Sequence, residues 1–143
     1  MPSKPAPTTA SNGRKQGKKY FTVAEANRAV GYVGRIMDDV CTRYREAVAL
    51  RELIEHPRPG DEMDQLRGSY EATMDHLNEL VDELHQVGVE LKDFEQGLVD
   101  FPALHQGREV CLCWHVGETK VSHWHELDSG FAGRQDVALL DKP

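Results

Sequence analysis

The sequence predicts an α+β protein: a long antiparallel two-helix hairpin, coiled-coil-like in its spacing, followed by a small three-stranded antiparallel β-meander. Three observations carry that expectation. Two long stretches place apolar residues three and four apart, the spacing of a heptad seam. The segment His56-Pro57-Arg58-Pro59-Gly60 separates them. After Gly97 the period of the apolar residues changes from that of a helix to the alternation of a strand.

The first helix is expected over about residues 22–56. Thr22, followed three residues later by Glu25, reads as a capping box: the hydroxyl takes an orphan backbone N–H and the carboxylate reaches back. Phe21, just before the cap, can close over the first turn as a hydrophobic staple. The seam then runs Val23, Ala26, Val30, Val33, Met37, Val40, Tyr44, Ala47; Arg51 interrupts it and Ile54 resumes it. Two prolines end it, because each removes a donor and restricts its predecessor.

The second helix is expected over about residues 62–96. Asp61 and Glu62 place acids at the positive end of its dipole. Its seam runs Met63, Leu66, Tyr70, Thr73, Leu77, Leu80, Leu84, Val87, Leu91, Phe94, with Gly97 as a left-handed C-cap. Each helix would be about 34 residues, on the order of 50 Å long. Equal lengths and a short connection predict antiparallel neighbours. Ile36, Leu50 and Leu53 on the first helix, and Met74 and Val81 on the second, widen the stripe beyond the narrow seam that a hairpin alone requires. The meander would cover part of it, and a second copy of the chain, forming a four-helix bundle, the rest. A homodimer is therefore expected.

The meander is expected over about residues 98–126. Leu98-Val99-Asp100-Phe101 reads as a short strand ended by Pro102, and His105-Gln106-Gly107 as a loop. Residues 108–115 and 120–125 alternate on either side of Val116-Gly117-Glu118-Thr119. Gly117 at the first central position of a two-residue turn fits type II′. Residues 127–143 read as a C-terminal loop, residues 1–19 as a disordered basic tail, and residues 20–143 as one α+β domain.

Length and composition agree with a single core: 143 residues, 39% hydrophobic and 29% charged. No stretch approaches the run of about 18 apolar residues that a membrane span needs. The N-terminus lacks the apolar segment of a secretory signal, so a cytoplasmic protein is expected. Three cysteines cannot all pair, which favours reduced thiols. The net charge of −7 is uneven. Residues 1–19 hold Lys4, Arg14, Lys15, Lys18 and Lys19 and no acid, leaving 12 basic against 24 acidic residues, a net −12, for the remainder. Such a body repels phosphate backbones, so nucleic acid is expected to be touched only weakly, through residues 4–19; the plainer reading of that tail is a solubilising leader.

Several motifs resemble a known family. Leu112-Cys113-Trp114, Gly117-Glu118, Trp124-His125 and Gly130-Phe131-Ala132-Gly133-Arg134 are similar to motifs of small bacterial proteins catalogued as domain of unknown function 2203. Phe21-Thr22-Val23-Ala24-Glu25-Ala26-Asn27 and Gly97-Leu98-Val99-Asp100-Phe101-Pro102 are similar to it too, so the resemblance spans roughly residues 20–136. It implies a bacterial cytoplasmic protein of this helix-then-strand layout, and it implies no activity, cofactor or catalytic residue.

The densest reactive cluster is Cys111, Cys113, His115, His123 and His125, thiolates and imidazoles of the kind that zinc and other late transition metals select. Its convergence depends on the parity of the hairpin. A two-residue turn at Gly117-Glu118 sets Leu112 opposite His123 and Trp114 opposite Val121, which splits the cluster across the sheet. A three-residue loop or a bulge shifts the pairing by one and puts all five residues on one face. The position of Gly117 predicts the even pairing, in which the cysteines are packing residues. A nucleophilic reading would use Cys113, with His115 or His125 as base and Glu118 to orient it, but no nucleophile elbow or phosphate loop accompanies them.

Gly130, Gly133 and Arg134, with Trp124 and His125, form a second candidate, a pocket for a small anion in which glycine amides and a guanidinium would bind. The competing reading is a C-terminal wrap that plugs the core. On the second helix His76, Glu79 and Glu83 share a face, best read as solvated and paired with arginines of the first. The leading expectation is a non-enzymatic interaction or scaffolding protein with its partner on the hairpin. The alternative, from another class, is a metal- or anion-binding protein, or an enzyme, with its site in the meander and zinc as the metal.

Overall fold

The computed structural model describes residues 18–140, and the tail expected over residues 1–19 lies outside it except for Lys18 and Lys19. Helices α1 (Val23–Glu55) and α2 (Met63–Val87) are followed by strands β1 (Glu90–Asp93), β2 (Leu98–His105), β3 (Arg108–His115), β4 (His123–Glu126) and β5 (Gln135–Asp136). The strands form one sheet in the order β1-β2-β3-β4-β5, every neighbour antiparallel. The α+β class stands. The meander has five strands where the sequence predicted three. Among the described residues, no helix is long and apolar enough to cross a membrane.

The start of α1 is the predicted capping box. The Glu25 N–H donates to Thr22 Oγ1 at 3.1 Å and the Thr22 N–H donates to Glu25 Oε1 at 2.9 Å. Phe21 is buried with its ring edge-on to Phe101, centroids 5.1 Å apart, and its N–H donates to the Pro102 carbonyl at 2.7 Å. These contacts pin the beginning of the helix to the sheet.

The end of α2 corrects the prediction of a helix reaching about residue 96. It stops at Gly88, whose φ of +103° is the left-handed cap. The Gly88 and Val89 N–H groups fold back onto the Leu84 carbonyl at 3.1 and 3.2 Å. Leu91 and Phe94 continued the helical spacing by coincidence. Leu91 lies in edge strand β1, opposite Val99, and Phe94 lies in the turn after it, stacked on Tyr44 at 5.3 Å. The helices are therefore unequal, 33 and 25 residues.

Strand β2 also outruns its prediction, continuing through Pro102 to His105. The Pro102 carbonyl accepts from Phe21, so the proline presents its hydrogen-bonding edge away from β3, where a missing N–H interrupts no ladder. A third correction concerns the β3–β4 connection. The Glu118 N–H donates to the His115 carbonyl at 2.9 Å, which makes Gly117, φ +102°, the third residue of the turn and not the second. The Glu118 carboxylate caps the same turn by accepting the His115 N–H at 2.8 Å. Residues 116–122 then form a longer connection, in which the Val121 N–H donates to Asn27 Oδ1 on α1 at 2.6 Å. The C-terminal segment, predicted as loop, holds β5 and two short 3-10 turns, Phe131–Gly133 and Val137–Leu139.

The two faces of the sheet have different roles. Val99, Phe101, Ala103, Val110, Leu112, Trp114 and Trp124 join Val33, Met37, Val40, Leu77 and Leu84 of the helices in one core. Trp114 lies against α1 at Gly34, where an added Cβ would sit 3.5 Å from its ring. Burying a single large side chain of this set contributes about 1.5–3 kcal/mol. The other face carries Asp100, Cys111, Cys113, His123 and His125. Beyond the sheet the hairpin continues as an arm: no residue from 48 to 76 is buried.

Candidate functional site

The cross-strand register decides the site. Cys113 lies opposite Asp100 on β2 and His123 on β4, and Cys111 lies opposite Pro102 and His125. This is the odd pairing, one residue removed from the pairing that Gly117 predicted. The longer 116–122 connection produces it. Alternation along each strand then puts Cys111, Cys113, His115, His123 and His125 on the face turned away from the helices.

Only part of that set converges. Asp100, Cys113 and His125 bring a carboxylate oxygen, a thiol sulfur and an imidazole nitrogen within 4.8 Å of one another. All three residues are buried, with 2%, 1% and 3% of their surface exposed. The set spans three adjacent strands, Asp100 and His125 meeting above β3 with Nε2 3.1 Å from Oδ1. Asp100 Oδ2 is buried without a hydrogen-bond partner of ordinary geometry. Cys111, 7% exposed, has its thiol in weak interaction with Asp100.

The hydrogen bonds assign the tautomer of His125. Its Nδ1 is 2.7 Å from the Glu126 carbonyl, which can only accept, so Nδ1 carries the hydrogen. The Nε2 lone pair is then left facing Asp100. One proton must lie between them, on the carboxyl or on the ring, for the contact to be favourable. Burial pushes the Asp100 carboxyl above the usual carboxylate range, and His125 pulls it partly back. Burial, seconded by the Asp100 charge, pushes the Cys111 thiol up to about 12 and the Cys113 thiol to about 11. Neither is a thiolate nucleophile at neutral pH without a cation beside it.

The remaining predicted residues have other partners. His123 is engaged by Ser122 Oγ at 3.0 Å and by Arg134 Nη2 at 2.6 Å, both at Nδ1. A guanidinium only donates, so Nδ1 accepts and the hydrogen of the neutral ring sits on Nε2. Arg134 also donates to Glu118 Oε2 at 2.8 Å, which ties the C-terminal segment to the β3–β4 turn. Trp124 is buried on the opposite face from His125, within the helix-facing core, with its ring 5.3 Å from that of His105. Gly130 and Gly133 close a 3-10 turn, the Gly133 N–H donating to the Gly130 carbonyl at 3.0 Å. Trp124, His125, Gly130, Gly133 and Arg134 thus do not line one pocket. Cys41, the third cysteine, lies on α1 with its thiol 3.6 Å from the Phe94 carbonyl, away from the cluster.

Asp100 is the residue that reading the sequence for chemistry missed. Its signal was present: an acid inside the apolar run Leu98-Val99-Asp100-Phe101 has to be buried if that run is a strand.

The sequence profile of the family described as "Uncharacterized conserved protein (DUF2203)" matches residues 19–137, and the chain belongs to that family. No curated protein and no solved structure matches the chain.

Proposed function

We propose that this member of the DUF2203 family binds a transition-metal ion through Asp100, Cys113 and His125. One observation carries the reading. His125 spends its Nδ1 hydrogen on a backbone carbonyl and turns its other nitrogen to a buried carboxylate beside a buried thiol. Metal-binding histidines are oriented in this way, the second nitrogen fixing ring and tautomer. The distances suit it too. In a tetrahedral site with bonds of about 2.0 Å, two N or O ligands stand about 3.3 Å apart, and Nε2 and Oδ1 are already 3.1 Å apart. A dication would replace the shared proton, take up the unpartnered Oδ2, and favour the Cys113 thiolate that burial otherwise opposes. A mixed S, N and O donor set selects zinc or a neighbouring late transition metal over magnesium or calcium.

The test is elemental analysis of the full untagged chain, purified without chelators and again after zinc loading and desalting, beside a Cys113→Ser, His125→Ala double variant. About one equivalent of metal in the native chain, lost from the variant, is expected. Less than about a tenth of an equivalent after loading would refute the proposal.

A second reading concerns the arm. Val48 is 51% exposed, and the seam residues Ile54, Leu66 and Tyr70, with Leu53 beside them, are only half-buried. This favours a partner for the hairpin, with a second copy of the chain as the simplest occupant. A monomer mass by light scattering at tens of micromolar would exclude that copy.

A further inference from the structure

We infer that Cys111 is the fourth ligand of this site, so that β3 supplies two thiolates and the centre is a closed one, serving as a staple across β2, β3 and β4. The inference rests on the metal-binding reading above and names the part of it that the three converging groups leave open.

Three groups make an open site when water takes the fourth position, as in catalytic zinc centres. Here Asp100, Cys113 and His125 are at most 3% exposed, so a solvent ligand has little access. The residue on hand for that position is Cys111. It shares the face of Cys113, two residues away on the same strand, and it stands directly opposite His125 in the β3–β4 ladder. It is 7% exposed, and it stands outside the apolar core that the other face of β3 joins.

Electrostatics bears on the same assignment. Two thiolates, a carboxylate and a neutral imidazole around a dication carry a net charge of −1. A carboxylate, two thiolates and one imidazole suit a borderline-soft, tetrahedral ion, which again describes zinc. Coordination forms metal–sulfur bonds at Cys111 and Cys113, whose hydrogens leave to solvent as protons along with the one shared by Asp100 and His125. No oxidant or reductant is required.

Cobalt(II) bound to the full chain provides the test, because its near-ultraviolet charge-transfer absorption reports coordinated thiolates. Cys111→Ser and Cys113→Ser should each lower that band by about half and weaken cobalt binding roughly tenfold or more. Cys41→Ser should leave the band unchanged. X-ray absorption on the zinc-loaded native chain, which depends on no variant folding, should count two sulfur ligands. One sulfur ligand, or a Cys111→Ser band equal to that of the native chain, would overturn the role of Cys111 and leave the three-residue site intact. No stoichiometric cobalt or zinc in the native chain would instead overturn both.

Discussion

His125 and Asp100 meet across the top of β3, Nε2 to Oδ1 at 3.1 Å, while the opposite nitrogen of the ring is held by the carbonyl of Glu126. Because Nδ1 keeps its hydrogen, an amide at position 100 can donate to Nε2 and preserve the bond with a neutral ring. Asp100→Ala should therefore destabilise the metal-free protein by about 3 kcal/mol, and Asp100→Asn by about 1 kcal/mol or less. Urea denaturation in the presence of a chelator measures both. Equal losses would mean that the pair is held as a carboxylate and an imidazolium.

Metal should also act as a stabiliser. At a free zinc concentration a thousandfold above its dissociation constant, linkage adds about 4 kcal/mol to the folded state. For a domain of this size that corresponds to a rise of about 10 °C in Tm, to be read by calorimetry with and without EDTA. An unchanged Tm would count against the site.

Glycine-to-alanine substitutions should separate by sign. Gly31 and Gly68 lie within helices with nothing within 4 Å of an added Cβ, so alanine there should stabilise by about 0.5–1 kcal/mol. Gly88 caps α2 at a φ of +103°, and Gly88→Ala should cost about 1 kcal/mol or more. Chemical denaturation midpoints would show the contrast.

Acid should loosen the beginning of α1. The Thr22 backbone N–H, before any other group, holds the exposed Glu25 carboxyl below its ordinary value of 4.5. A carboxyl lowered by folding adds stability that is present above its unfolded pKa and is lost as pH falls through the folded one. The loss should begin near pH 4.5 and deepen below it. Glu25→Gln can still accept the N–H bond and should flatten that part of a stability–pH profile. An unaltered profile would show the box to be energetically silent.

How far the sequence could be read depended on whether a feature was local. The capping box at Thr22 and Glu25, the proline break after His56 and the strand alternation in residues 108–115 each depend on near neighbours, and each was legible. The end of α2 was not. Leu91 and Phe94 fit a helical seam as well as they fit a strand and a turn, and only the left-handed Gly88, with Val99 waiting opposite Leu91, decides between the two. Site parity was illegible for a related reason. Gly117 suits either of two turn positions, and the choice between them is made by long-range partners: Asn27 on α1 holding Val121, and Glu118 held by Arg134. One residue of slip there exchanges the faces of every side chain in β4 relative to β3.

The arm has a consequence in time as well as in space. Amides near Met37 and Leu80, under fully buried or nearly buried side chains, should exchange with deuterium only when the whole molecule unfolds. Between residues 48 and 76, where no side chain is sealed, helical hydrogen bonds can open by fraying from the His56–Gly60 bend inward. One continuous pair of helices would thus present two clocks, slow at the sheet and fast at the tip. Any molecule that grips the arm should announce itself by slowing the second.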